Sequence, residues 1–275
     1  MAQEEGDEMA RSNTGAESVV VETRGEVSDA ERAYAREKVS RVGAMVPGPV
    51  LYARVDLKAE ANPSQERPAV AKAEVDVNGR LVRAHVASET MLAAIDLMES
   101  RLRQGLERLV HHDESKRLRH RNPGEHEWQH GRPAPVRPPH FARPVEEREV
   151  VRHKTFSVGE ATPDEAVFDL ELLDLDFFLF KNLETGADNV ITRATGTGYE
   201  LIEPFPECSL EEHAAEITPS GIRPVSLGID DAVSHLDLGD EPFVFFLDPD
   251  CGRGRVLYRR FDGHYGLIVP ADEQR

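Results

Sequence analysis

The sequence predicts an α+β fold. An N-terminal β-α-β-β-β-α domain, with an antiparallel sheet and two helices on one face, precedes two tandem small β-α-β-β-β modules that pair with each other. Polar and apolar residues alternate, as they do in strands, over three stretches between residues 50 and 88. Apolar residues recur at helical spacing on both sides of that region. The stretch VITRATGTGYELIEP (190–204) returns 66 positions later as VLYRRFDGHYGLIVP (256–270), which indicates an internal duplication.

Helix caps and turn residues delimit the elements of the N-terminal domain. Ser28 is the expected N-cap of a helix over residues 29–42, and Ser88 or Thr90 is that of a long second helix. Asn78–Gly79 is a strong signal for a two-residue hairpin turn. The predicted strands span residues 18–23, 50–60, 69–77 and 80–88.

The two modules share one order of elements, a leading strand, a helix and three further strands. In the first module these are expected at residues 150–158, 162–173, 175–181, 188–194 and 198–203. In the second they are expected at residues 222–225, 229–238, 242–247, 254–261 and 264–269. The copies also share individual residues, such as Arg193 with Arg259 and Tyr199 with Tyr265.

Composition divides the chain into six segments. A polar, acidic N-terminus predicts a disordered leader, and a proline-rich stretch without periodicity predicts a flexible linker. The predicted segments are the leader (1–17), the N-terminal domain (18–111), the linker (112–149), the first module (150–205), a connector (206–221) and the second module (222–275).

The net charge of −18 is distributed unevenly along the chain. Residues 1–17 carry −4, residues 18–121 carry +2, residues 122–155 carry +1 and residues 156–275 carry −17. This asymmetry predicts different partners for the two halves, since phosphates repel an acidic surface. The two cysteines give no disulfide framework, and no apolar run is long enough for a membrane span. We therefore expect a cytoplasmic protein without a membrane partner.

The chain carries no motif typical of an enzyme. The histidines between His111 and His153 lack metal-ligand spacing, and the glycines of GTG (196–198) and GRG (252–254) fall in hairpin turns. No nucleophile–base set is indicated by spacing. We expect no cofactor, no metal and no catalytic residue. An enzyme, or a regulator that binds a transcription factor or kinase through the acidic half, stays an alternative class.

Several stretches resemble the bacterial ribosome hibernation-promoting factors. In the N-terminal domain these are VVVETRGEVSDAERAYAREKVSRV, NGRLVRAHVAS and TMLAAIDLMESRLRQGLERL. In the modules they are PDEAVFDLELLDLDFFLFKNLETGADNVITR, GYELIEP and their second copies DDAV, FVFF, VLYRR and DGHYGLIVP. The long members of that family carry one C-terminal module. Two modules resemble an actinobacterial variant associated with dormancy or oxygen limitation (hypoxia).

The resemblance implies a stress-response factor that inhibits translation. Its N-terminal domain would bind 16S rRNA and ribosomal proteins in the mRNA/tRNA channel of the small subunit. Cationic side chains of this domain are the candidates for phosphate contact. The predicted rRNA-binding residues are Arg24, Arg32, Arg36, Lys38, Arg41, Arg80, Arg83, His85, Arg101, Arg108, Lys116 and Arg117. The alternative is a solvated helix surface, balanced by Glu31, Glu37, Glu99 and Glu107.

Each module has a strand that is apolar on both faces, DFFLF (176–180) and PFVFFL (242–247). One helix covers one face, so the other must be buried against a partner, and a matching module is self-complementary. A short connector favours a monomer with pairing in cis, which silences single ribosomes. The alternatives are homodimerisation that joins two ribosomes and two independent modules. The predicted pairing residues are Phe177, Phe178, Phe180, Ile191, Tyr199, Phe243, Phe245, Phe246, Leu257 and Tyr265.

Overall fold

The computed structural model describes residues 19–61, 65–118, 136–138, 140–153, 159–205 and 213–270, without the side chains of residues 113–118 and 152–153. The chain forms two units. The first contains the N-terminal domain with residues 135–137 and 172–174, and the second contains the duplicated part of the chain. The predicted leader and most of the predicted linker lie outside the described residues. Within the described part, no helix has the length and apolar character of a membrane span.

The first unit has the predicted order of elements, and the fold class is confirmed. Its elements are β1 (Val19–Arg24), α1 (Asp29–Gly43), β2 (Val50–Ala59), β3 (Ala69–Val77), β4 (Arg80–Ser88) and α2 (Met91–Leu118). The sheet has the order β1-β2-β3-β4, and β2, β3 and β4 are antiparallel. β1 differs from the expectation, because it runs parallel to β2. A helix between two neighbouring strands returns the chain in the same direction, which makes the pair parallel.

Local hydrogen bonds explain where these elements begin and turn. The Oγ of Ser28 accepts from the Glu31 amide at 3.2 Å, and the Glu31 carboxylate accepts from the Ser28 amide at 2.8 Å, so a capping box starts α1. At the β3–β4 turn Asn78 and Gly79 adopt φ of 53° and 85°. Such angles define the tight turn that fits the twist of a hairpin.

The core of the first unit lies between the sheet and the two helices. Inward residues of the strands, such as Val55, Val75 and Val82, are fully buried. From α2, Ile95 and Met98 are also fully buried. The other face of the sheet carries charged side chains, as alternation predicts for a sheet that is covered on one side.

The second unit contains the two modules. Its strands are β5 (Val150–His153), β6 (Glu160–Ala161), β7 (Phe177–Asn182), β8 (Asp188–Arg193), β9 (Tyr199–Ile202), β10 (Ile217–Pro219), β11 (Phe243–Leu247), β12 (Gly254–Arg259) and β13 (Tyr265–Ile268). Its helices are α3 (Pro163–Leu172) and α4 (Ile229–Leu238), with a 3-10 turn at Val145–Glu147. The two sheets have the orders β10-β9-β8-β7-β6 and β11-β12-β13-β5.

The modules exchange their leading strands. β5, which precedes the first module, pairs in parallel with β13 of the second, and β10, which precedes the second, pairs in parallel with β9 of the first. The predicted leading strand of the second module, residues 222–225, is not a strand; only Ser226 forms a bridge, with Leu247. Pro224 in this stretch has no amide hydrogen to donate to a ladder. Residues 154–158 of the other predicted leading strand lie outside the described residues.

Among the described residues of the second unit, three apolar clusters make the core. One lies under α3 and includes Phe180 and Tyr199, and a second lies under α4 and includes Phe246 and Leu257. The third joins residues of both modules and is called the shared cluster below. Its members are Phe177, Leu179, Val190, Ile202, Phe243, Phe245, Val256 and Ile268.

Candidate nucleic-acid interface and module interface

Three of the predicted rRNA-binding arginines line the β1 edge of the first unit. Arg24 is exposed at the end of β1. On α1, the Arg32 guanidinium donates to Thr23 Oγ1 at 2.9 Å, and Arg36 Nε donates to the Val19 carbonyl at 3.4 Å. The guanidinium groups of Arg32 and Arg36 therefore follow β1, which is the edge strand of the sheet in the described part of the chain. This edge can present three cations to a phosphate backbone.

Lys38 occupies a different place from the one expected of an RNA contact. Its Nζ lies 2.9 Å from Asp96 Oδ1 and 3.6 Å from Glu99 Oε2, and the side chain is 17% exposed. The Tyr34 hydroxyl donates to the same Asp96 carboxylate at 2.7 Å. The hydrogen bond that Lys38 donates to Asp96 raises the pKa of Lys38 above its ordinary value. Lys38 is therefore a poorer candidate for RNA contact than the arginines of the β1 edge, because it forms ion pairs with two carboxylates of α2.

Arg41 and the cations of β4 lie on other surfaces of the same unit. Arg41 is exposed and forms an ion pair with Glu37, one helical turn earlier. Arg83 Nε lies 3.0 Å from Glu74 Oε1 across the β3–β4 pair, and Arg80 begins β4. The charged outer face of the sheet thus contains carboxylates among its cations, which lowers its attraction for phosphate.

The predicted RNA contact His85 lies in an environment that opposes protonation. Burial, followed by the positive charges of Arg137 and Lys72, lowers the pKa of His85 to about 4. Asp174 opposes this effect only in part. His85 would therefore meet RNA as a neutral imidazole and add no cation to a phosphate contact, because a buried imidazole next to two cations does not hold a proton.

The predicted cations of α2 differ in how accessible they are to RNA. Arg101 Nε lies 3.1 Å from Asp174 Oδ1 within the first unit, and the Asp174 side chain is 2% exposed. Arg137 is the second cation on this carboxylate, at 3.3 Å. Arg101 is thus held by a buried carboxylate and is a poor candidate for RNA contact. Arg108 is half-buried on α2. Lys116 and Arg117 belong to α2, but their side chains lie outside the described residues.

Three further cations lie on the outer face of the sheet and were not among the predicted rRNA-binding residues. Arg54 and Lys58 lie at outward positions of β2, and Lys72 lies at an outward position of β3. Their side chains are 43%, 49% and 39% exposed. The period-two pattern of these strands contained that signal.

The pH dependence of folding tests the environment of His85. The unfolded chain binds a proton at His85 near the ordinary pKa of 6.5, whereas the folded chain binds it near pH 4. Lowering the pH across this window therefore favours the unfolded chain, by about 3 kcal/mol at the acid end. Denaturant titrations of the full chain between pH 7 and pH 4, followed by circular dichroism, measure the change.

His85→Gln is the control for this titration. It is expected to remove the loss of stability between pH 6.5 and pH 4 and to leave any loss at lower pH. Carboxylates such as Asp262, whose pKa is lowered to about 2 by its hydrogen bond with Arg260, lose their contribution only below about pH 4. An unchanged slope in the variant between pH 6.5 and pH 4 would contradict a neutral His85.

The module interface is formed by the facing surfaces of the two sheets of the second unit. Of the ten predicted pairing residues, three lie in the shared cluster: Phe177, Phe243 and Phe245. The rings of Phe177 and Phe243 have centroids 4.5 Å apart, and Phe177 also meets Tyr258 edge-on at 5.5 Å. These contacts bury the second apolar face of β7 and of β11.

The other seven predicted pairing residues pack within their own modules. Phe178, Phe180, Ile191 and Tyr199 lie in or against the cluster under α3, and Phe246, Leu257 and Tyr265 lie in the cluster under α4. Their assignment to the interface is corrected, because alternate residues of a strand face opposite sides. The residues missed are Leu179, Val190, Ile202, Val256 and Ile268.

The fold and these surfaces define a two-part α+β protein that combines an arginine-edged β-α-β-β-β-α domain with a duplicated, strand-exchanged module. Residues 19–112 match the family described as Sigma 54 modulation protein / S30EA ribosomal protein. Residues 145–201 and 222–267 match its C-terminal family, Sigma 54 modulation/S30EA ribosomal protein C terminus. The chain belongs to this family, that of the ribosome hibernation-promoting factors.

Named relatives cover both parts of the chain. The "Dormancy associated translation inhibitor" of Mycobacterium tuberculosis (strain CDC 1551 / Oshkosh) is 32% identical over 52% of this chain and 55% of its own length. The match thus spans about half of that relative. The "Ribosome hibernation promotion factor" of Picosynechococcus sp. is 36% identical over 48% of this chain and 69% of its own. The protein of the same name from Mycobacterium tuberculosis (strain ATCC 25618 / H37Rv) is 29% identical over 74% and 97%.

A solved structure matches the N-terminal part. The N-terminal domain of Protein Y from Thermus thermophilus is 28% identical, with a TM-score of 0.28. The match covers 33% of this chain and 97% of that one.

Proposed function

We propose that this chain is a ribosome hibernation factor that acts in the cytoplasm during stress or dormancy. Its N-terminal domain would bind the small subunit in the mRNA/tRNA channel and so silence translation. The observation that carries the proposal is the match of both parts of the chain to a family whose relatives are named for ribosome hibernation and translation inhibition. The proposal includes no catalytic step.

The distribution of charge supports the assignment of RNA binding to the N-terminal domain. Arg24, Arg32 and Arg36 lie along one edge of that domain, whereas residues 156–275 carry a net charge of −17. Phosphates attract the first surface and repel the second. The acidic modules are therefore better suited to contacts with basic ribosomal proteins than with rRNA.

Strand exchange supports pairing of the modules in cis. Residues 154–159 link β5 on one sheet to β6 on the other, and residues 220–225 link β10 to the bridge at Ser226. Segments this short hold the modules at an effective concentration in the millimolar range. Pairing within one chain would then outcompete pairing between chains, and each chain would silence a single ribosome. The alternative is the same exchange between two chains, which would join two ribosomes.

Sedimentation of the full chain with purified ribosomes at graded salt tests the RNA contact. The wild-type affinity is expected to fall linearly in log–log form with salt. Arg32→Glu with Arg36→Glu is expected to weaken binding and to reduce the slope by about 2, one for each lost phosphate contact. The matched control, Arg223→Glu with Arg260→Glu, makes the same change of charge in the second unit and should leave the salt slope at its wild-type value.

The outcomes separate the parts of the proposal. Unchanged binding by the Arg32/Arg36 variant would remove the β1 edge from the interface, and absence of binding by the wild type would reject hibernation altogether. Sucrose gradients of the loaded ribosomes distinguish single from paired ribosomes. A monomer mass by light scattering with single ribosomes supports pairing in cis, whereas a dimer with paired ribosomes supports the alternative.

A further inference from the structure

The shared cluster has an internal near-symmetry that reflects the duplication. Its eight members are four pairs of equivalent residues, each pair separated by 66 positions. These pairs are Phe177 with Phe243, Leu179 with Phe245, Val190 with Val256 and Ile202 with Ile268. The Phe177 and Phe243 rings are in contact with each other. The modules therefore pack face to face in the way that two identical subunits pack about a two-fold axis.

The two copies differ where β8 and β12 begin. Asp188 of the first module is equivalent to Gly254 of the second, and Ala187 is equivalent to Arg253. These unlike residues meet. Arg253 donates to the Asp188 carboxylate from Nε at 2.7 Å and from Nη2 at 3.0 Å, and the Gly254 amide donates to it at 2.8 Å. Each module thus supplies one half of a contact that its own equivalent residues cannot complete.

The Asp188 carboxylate depends on these partners because it is 6% exposed. A buried carboxylate is tolerated only when charged and hydrogen-bonding groups compensate for its lost hydration. A bidentate arginine with a backbone amide is the strong form of such compensation. In this unit both donors come from the second module, so the buried carboxylate has these partners only when the modules are paired.

The absence of a side chain at Gly254 is a second requirement of the same contact. A Cβ at this position would lie 2.6 Å from Asp188 Cβ and 2.7 Å from Phe245 Cε2. Both distances are far inside van der Waals contact, so any other residue would have to displace both Asp188 and Phe245. Glycine therefore provides the space for the larger Phe245, which stands where the first module has Leu179.

We propose that the module interface is heterotypic: each module binds the other and rejects a second copy of itself. Two first modules would place two Asp188 side chains against each other without an arginine, since Ala187 stands at the position of Arg253. Two second modules would face Arg253 with Arg253 and leave the Asp188 volume empty. Like charges in a buried interface oppose association, and specificity arises from such unfavourable alternatives.

This inference goes beyond the proposed function, since it concerns the choice of partner and requires no ribosome. It predicts that the modules of two chains can pair only as first with second. The first module rejects another first module, or any module that carries an acid at the position of Asp188.

Exchange of the unlike residues within the full chain tests the proposal. One variant gives the second module the residues of the first: Phe245→Leu, Arg253→Ala and Gly254→Asp. A second variant gives the first module the residues of the second: Leu179→Phe, Ala187→Arg and Asp188→Gly. A third carries all six substitutions, which restores one copy of each half on opposite modules. Amide hydrogen exchange of β5 and β10 reports pairing, because each strand is bonded to the opposite module's sheet.

Each triple variant is expected to raise amide exchange in β5 and β10 at least about tenfold, the effect of about 1.4 kcal/mol of lost pairing. The variant with all six substitutions is expected to return amide exchange in β5 and β10 to within about threefold of the wild type. Wild-type protection in either triple variant would overturn the proposal. The proposal would also be overturned if the variant with all six substitutions did not fold, or if its β5 and β10 amides were no better protected than those of the triple variants. None of these readouts depends on ribosomes, so they are independent of the proposed function.

Discussion

Replacing Phe246 with alanine is expected to lower the free energy of unfolding of the second unit by about 3–5 kcal/mol. Phe246 is fully buried in the cluster under α4, where it packs with Leu236, Leu257 and Leu267. The substitution removes a buried aromatic ring and leaves a cavity. The small module cannot close this cavity by relaxation of the surrounding side chains. Urea denaturation of the full chain, with hydrogen exchange to assign the transition to the second unit, measures the loss.

Phe261→Ala is the matched control, because it removes the same ring from a site that is 38% exposed. Its effect is expected to be much smaller, since most of the cost of the Phe246 change comes from burial. Equal losses for the two variants would mean that Phe246 is not the centre of the module core. The transition of the first unit should stay where it is in the wild type for both.

Replacing Leu179 with aspartate is expected to separate the modules. Leu179 is 3% exposed in the shared cluster, beside Val190, Val256 and Phe245. A carboxylate there would lose its hydration without gaining a cationic partner in the cluster, which costs several kcal/mol. We expect loss of exchange protection in β5 and β10 together with a larger hydrodynamic radius, measured by hydrogen exchange and by light scattering.

Leu238→Asp provides the comparison for this change, because Leu238 is 91% exposed on α4. The same substitution at that site should leave the radius and the protection of both strands at wild-type values. If Leu179→Asp were equally silent, the shared cluster would not hold the modules together. If it unfolded α3 and α4 as well, the modules would depend on each other for folding.

Local signals determined the positions of most elements. β3 and β4 span residues 69–77 and 80–88, as alternation and the Asn78–Gly79 turn predicted. The Ser28 cap fixed the start of α1, and the duplication predicted α4 at residues 229–238. These features depend on neighbours within a few positions along the chain, so they are visible in the sequence.

Partners distant in the chain could not be assigned in this way. The pairing of β5 with β13 joins Val150 to Tyr265, and nothing local to either strand specifies that neighbour. The position of Lys38 on α1 suggested a surface lysine that is available to phosphate. In the structure it forms an ion pair with Asp96 of α2. The buried Asp174 likewise holds Arg101, which sequence spacing placed among free surface cations.

The sequence by itself determined the class of fold, the duplication and the apolar character of both faces of β7 and β11. Only the tertiary structure decided which face meets the other module, which cations remain on the β1 edge, and that Asp188 finds its arginine across the interface. The physical reason is that helices, turns and alternation depend on short-range sterics and hydrogen bonds. Exchange of strands and compensation of buried charge depend instead on groups that only the folded chain brings within a few ångströms.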